Sequence, residues 1–113
     1  MPFVRISVGR KLSDNERTAV YDVVSQHITI IPGKTVAATM VQLEDGRRMY
    51  KDAAQCVCVF VDVRLYGAAP EEAKQKLCRK LMTDLSVMLD VPLTNIYMNI
   101  TEHEHWGANG DWK

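Results

Sequence analysis

The feature that most constrains this chain is an internal repeat. Two segments of 113 residues read as the same order of elements, strand then helix then strand. Phe3-Val4-Arg5-Ile6-Ser7-Val8 alternates along one segment and Val57-Cys58-Val59-Phe60-Val61-Asp62-Val63-Arg64-Leu65 along the other. Val4, Ile6 and Val8, then Val57, Val59, Val61, Val63 and Leu65, give each strand one continuous aliphatic face, as a sheet covered by helices requires. Each strand is followed by a helical pattern. Ser13 with Glu16 forms a capping box, and Val20, Val23, Val24, His27, Ile28 and Ile31 recur at helical spacing. In the second segment Pro70 stands where a first helical residue would, Glu71 and Glu72 suit the positive end of the dipole, and Leu77, Leu81, Leu85, Met88 and Leu89 make the stripe. Ile31-Pro32 and Val91-Pro92 end the two helices in the same way, because proline pushes the preceding residue out of helical geometry.

Second strands are expected around 36–43 and 96–101, each parallel to the strand before it because a helix crosses between them. Residues 44–56, polar and carrying the turn signal Glu44-Asp45-Gly46, read as the link between pseudo-repeats 1–43 and 57–113 of one domain. The predicted fold is therefore α+β: two tandem β-α-β units forming one four-stranded sheet with both helices on one face. The other face would carry Phe3, Arg5, Ser7, Cys58, Phe60, Asp62 and Arg64. That mixture is too apolar for water alone and predicts packing against further copies of the chain.

Composition narrows the function. Fourteen Lys and Arg balance fourteen Asp and Glu, which argues against generic binding to nucleic acid or to anionic membranes. No run approaches a membrane span, and no signal peptide is evident, so a cytoplasmic protein is expected. The three cysteines fit that compartment. Cys56 and Cys58, two apart on an extended segment, read as poorly placed to bridge, and with Cys78 as small buried hydrophobes. His103 and His105 lack a third ligand at metal spacing, and His27 reads as a packed, satisfied histidine on its helix stripe. No phosphate loop and no Ser/His/Asp set is present.

Several short motifs carry a resemblance. Val91-Pro92-Leu93-Thr94-Asn95-Ile96, Ile100-Thr101-Glu102 and His105-Trp106-Gly107-Ala108-Asn109-Gly110 resemble the end of the short 4-oxalocrotonate tautomerase subunit. Gly9-Arg10 with Ser13-Asp14 and Glu16 resembles that family's approach to its helix. Met1-Pro2 resembles the start of tautomerase-superfamily chains, in which proline becomes the N-terminus once the initiator Met is removed. The fused repeat, Gly33-Lys34 and Tyr97-x-Asn99 resemble macrophage migration inhibitory factor and its bacterial relatives. The likeness spans nearly the whole chain.

The resemblance implies a cofactor-independent, metal-free keto-enol tautomerase acting on a small 2-oxo carboxylic acid, with Pro2 as general base. A free proline amine stays neutral near pH 7 when neighbouring cations and partial desolvation disfavour its protonated form. Arg10, Lys34 and Arg64 are the implied carboxylate-binding cations, with Lys11 a possible sharer beside Arg10. Tyr97, Asn99 and Trp106 complete the implied pocket, the first two reaching the cavity of an adjoining subunit in a homotrimer. Tyr97 stands where the single-unit tautomerases carry an arginine, which weakens the expectation of strict 4-oxalocrotonate-type dicarboxylate binding. Two alternatives stay open: a hydratase, dehalogenase or decarboxylase of a three-carbon acid, in which the amine works as a cation, and a non-catalytic binding protein.

Overall fold

A computed structural model describes residues 1–113. Strand β1 (Pro2–Val8) leads to helix α1 (Asp14–Ile28), strand β2 (Met40–Glu44), a small hairpin of β3 (Tyr50–Lys51) and β4 (Ala54–Gln55), then β5 (Val59–Tyr66), helix α2 (Glu71–Leu89), β6 (Ile96–His103) and a last hairpin of β7 (Gly107–Ala108) and β8 (Asp111–Trp112). The four long strands form one sheet in the order β2-β1-β5-β6. Within each unit the strands are parallel, β1 to β2 and β5 to β6, as the crossover helices demand. The units join through the antiparallel pair β1 and β5, with Pro2 opposite Leu65 and Val8 opposite Val59.

The core lies between this sheet and the helices. Val4, Ile6 and Val8 of β1 meet Val59, Val61, Val63 and Leu65 of β5, under Val20, Val24 and Ile28 of α1 and Leu77, Leu81, Leu85 and Leu89 of α2. His27 lies in the same layer, nearly buried, and its Nε2 meets Asp84 Oδ2 of α2 at 2.6 Å. The helix stripe's one polar member is thereby satisfied by the partner helix.

The helix starts follow local chemistry. Ser13 caps α1, with the reciprocal Glu16 bond to its own N–H completing the box. Pro70 is the residue before α2 rather than its first turn, because its extended ψ of 139° takes it out of the helix. Helix α1 stops at Ile28, so Ile31 is buried from the following turn and not from the helix itself. Asp90, at φ 54°, closes α2 in left-handed geometry just ahead of Val91-Pro92.

Two further expectations are corrected, and the link between the units has structure of its own. The second strand starts at Met40, not near Val36, since residues 36–39 turn on a Thr39 N–H bond to the Val36 carbonyl (3.1 Å). The link over 44–56 contains the β3–β4 hairpin, tightened by left-handed Asp52 and Ala53. Cys56 and Cys58 form a disulfide, with Cα atoms 5.7 Å apart, while Cys78 is free and only half-buried. The expectation failed because the chain leaves regular strand geometry before Val59, which lets the two sulfurs turn toward each other.

Candidate active site

The N-terminal end of β1 opens onto a cavity of about 340 Å³. Pro2 and Phe3 supply its floor, Ala38 and Met40 one side, and Trp106 through Asn109 the other. No acidic side chain lines it. Pro2 is buried, because its position on β1 continues the aliphatic face of Val4, Ile6 and Val8. Trp106 packs with its ring centroid 6.4 Å from Tyr66 and 5.8 Å from His103. A largely apolar lining without a carboxylate, at a chain terminus, is a place where a neutral amine is favoured over an ammonium.

Lys34 brings the positive charge. Gly33, at φ 77°, turns the chain after α1, and the Lys34 Nζ then donates to the Tyr66 carbonyl oxygen at 2.7 Å. Tyr66 in turn donates its N–H to the Met1 carbonyl oxygen (3.3 Å), so Lys34, the end of β5 and the chain start form one connected group. The Met1 amine is held below the ordinary value for an N-terminal amine. Burial is the largest cause, followed by the charge of Lys34, its hydrogen bond, and the charge of Lys113.

Of the other sequence candidates, Arg10, Tyr97 and Asn99 lie elsewhere in a single chain, while Arg64 lies across the strand pair from the cavity residue Phe3. Arg10 follows the opposite end of β1, about 25 Å from Pro2 at ordinary strand rise. Its guanidinium is taken by both Glu16 oxygens (3.1 and 2.7 Å) and by the Leu89 carbonyl oxygen (3.1 Å). Arg64 stands opposite Phe3 on the uncovered sheet face, its guanidinium 6.0 Å from the Phe3 ring centroid and its Nη2 3.1 Å from Asp62. Asp62 is 6% exposed and also receives Arg5 at 3.3 Å and Asn99 at 3.5 Å. Asn99 is thus tied to that cluster, and Tyr97, opposite Phe60, is exposed with Lys51 over its ring. Tyr97 lies about 17 Å from the level of Pro2 along the strands.

Of the seven candidates, one chain therefore gathers Pro2, Lys34 and Trp106. Sequence reading missed Met40, Tyr66, Asn109 and Lys113. Tyr66 acts through its backbone, which has no side-chain signature; Lys113 is brought near by the hairpin turn at Asn109-Gly110, a legible two-residue hairpin signal.

Neither a family model nor a curated protein matches the sequence. Solved structures do match in fold. The MIF2 protein of Leishmania major superposes with a TM-score of 0.90 at 18% identity, over 100% of this chain and 97% of that one. A protein solved after inactivation by 2-oxo-3-pentynoate gives 0.85 at 16% identity, over 96% and 93%. A fused 4-OT, described as a wild-type asymmetric trimer, gives 0.85 at 15% identity, over 96% and 94%. The chain has the α+β fold of the tautomerase superfamily. No helix is long and apolar enough to cross a membrane.

Proposed function

We propose that this chain is a cofactor-independent tautomerase of small 2-oxo carboxylic acids, with Pro2 as general base once Met1 is removed. The observation that carries this reading is that Pro2 and Trp106 line one cavity at the start of β1, with Lys34 bonded to the Tyr66 carbonyl oxygen beside the same chain start. With Met1 attached the Pro2 nitrogen is an amide and cannot act as a base. Its removal would leave a secondary amine at a residue more buried than Met1, within the field of the same cations, and both influences favour the neutral form.

Removal of Met1 also frees the Tyr66 N–H from its present acceptor. That N–H and the Lys34 ammonium then offer two donors for a substrate carboxylate or for the oxygen that gains charge. In the ketonisation of an enol, the Pro2 nitrogen takes the enol O–H proton and returns it to the β-carbon, and the product is the 2-oxo acid. The proton taken is the proton returned, so the step balances without a co-reactant. Trp106 and the apolar wall keep water from competing for it.

The fused 4-OT of this fold is a trimer, and the apolar open face here supports the same assembly: a homotrimer in which Tyr97 or Asn99 of a neighbouring copy reaches the cavity. The fold neighbour inactivated by 2-oxo-3-pentynoate supports a 2-oxo acid as the ligand class. The test is ketonisation of phenylenolpyruvate by protein whose N-terminus is verified as Pro2, against the Pro2→Ala variant. A loss of at least about a hundredfold in kcat/KM is expected. Equal rates would sink the proposal.

A further inference from the structure

Helix α2 carries its cations in two different ways. Lys74 is paired, with Glu71 at 3.2 Å and with Glu102 of β6 at 3.0 Å. Lys76, Arg79 and Lys80 enter none of the chain's ion pairs. Their spacing puts them on one stripe of the helix, continued by Thr83, on the side away from the buried Leu77, Leu81 and Leu85. All four are exposed, and with Asp84 they line a hollow of about 520 Å³ that has no apolar side chain in its wall.

Nothing within the chain offsets this charge. Asp84 is the hollow's one carboxylate, and its Oδ2 meets His27 Nε2 at 2.6 Å. Glu72, one turn before Lys76, forms no ion pair with it. The helix dipole does not account for the cluster either, because it favours cations in the last turn, where α2 has no basic residue. Like charges three and four residues apart repel, so α2 carries an unfavourable cluster that a bound anion would relieve.

A second hollow adjoins the first at Arg79. It measures about 500 Å³, lies between α2 and β6, and has Met82, Met98 and Ile100 in its wall, all half-buried. Both volumes are of small-molecule size. Arg79 lines the two together, so its guanidinium stands where a polar hollow meets a partly apolar one. A guanidinium fork in that position can hold a phosphate group by two parallel hydrogen bonds.

We infer that the outer face of α2 binds a small organic phosphate ester, with its phosphates on Lys76, Arg79 and Lys80 and its apolar group against Met82, Met98 and Ile100. The site shares no residue with the Pro2 cavity and does not depend on the reading of that cavity. The cluster's positive charge suits a diphosphate, whose charge of about −3 it would balance, better than it suits a single carboxylate. The apolar wall beside Arg79 favours an ester over the bare anion, because it adds area that the inorganic ion cannot bury.

The experiment is isothermal titration with ADP and with inorganic pyrophosphate at fixed ionic strength. It uses the wild type, the double variant Lys76→Gln/Lys80→Gln and Met82→Ser, each with helix content checked by circular dichroism. ADP is expected to bind the wild type about tenfold more tightly than pyrophosphate. The double variant is expected to weaken both ligands by about tenfold or more, and Met82→Ser to weaken ADP alone. No binding of ADP at millimolar concentration overturns the inference, as does ADP affinity unchanged in the double variant. Equal affinity of the wild type for the two ligands overturns it as well. A last arm is sedimentation with phosphatidylcholine vesicles containing phosphatidylinositol bisphosphate. Binding to these vesicles without binding of ADP marks a membrane-facing surface, which also overturns a site for a soluble ester.

Discussion

The Lys34 ammonium is anchored on the Tyr66 carbonyl oxygen at 2.7 Å, which fixes a flexible four-carbon side chain beside the start of β1. A lysine held by a neutral acceptor keeps its charge available, whereas one held by a carboxylate would be neutralised. Arg10 shows the contrast, since both its nitrogens are committed to Glu16. The cation that most depresses the terminal amine is thus one without an acidic partner.

Lys34→Met is expected to lower kcat/KM on an enol acid by about ten- to a hundredfold, through loss of a charge-assisted contact to the carboxylate. The pH profile carries a second sign. Lys34 holds the Met1 amine's pKa down, and the same influence on the proposed Pro2 base predicts that its removal moves the acidic limb of the rate profile to higher pH, because a general base works only when deprotonated. A pH-rate series on wild type and Lys34→Met checks both; a limb that stays in place refutes the electrostatic coupling.

Leu85 is fully buried on α2, within the layer between helices and sheet. Its truncation to alanine removes apolar contact and leaves a cavity, at a cost of about 2–5 kcal/mol. Urea denaturation of Leu85→Ala against wild type measures this directly.

Most of the fold was legible because the two signals behind it are local and repeated. Alternation on Val4, Ile6 and Val8 and the leucine stripe of α2 each fix a face, and the crossover fixes parallel pairing. The site was legible only in part. Pro2, Lys34 and Trp106 converge within one chain, but Arg10, Tyr97 and Asn99 lie near or toward the other end of the strands, so motif likeness alone did not separate residues of one cavity from residues spread over the chain. The Cys56–Cys58 bond and the β3–β4 hairpin were missed because both depend on where the chain departs from strand geometry, which side-chain periodicity does not record.

Glu16 links the cap of α1 to Arg10, and the Arg10 guanidinium, with the Ser13 N–H, holds its carboxyl down at about 2. A folded-state pKa below the unfolded value means stability that is present above the unfolded carboxylate range and lost as pH falls toward about 2. Glu16→Gln is therefore expected to destabilise the protein at neutral pH, with the difference from wild type shrinking between about pH 4.5 and pH 2. Urea midpoints for the pair across that range provide the measurement, and a difference independent of pH contradicts the assignment.

Phe60 bears on the assembly. It projects from the uncovered sheet face, 37% exposed, beside Tyr97 of β6, which is 60% exposed. On the same face Asp62 is nearly buried beneath Arg5, Arg64 and Asn99, so its carboxylate is already paired within the chain. A face whose one carboxylate is paired internally and that exposes Phe60, Tyr97 and Met40 gains by burial against another copy. Phe60→Asp sets an unpaired carboxylate into that contact beside Asp62. Light scattering at micromolar concentration is expected to show the wild type as an oligomer and Phe60→Asp as largely dissociated. If both have the mass of one chain, the face is solvated as it stands, and a cavity completed by a neighbouring copy is ruled out.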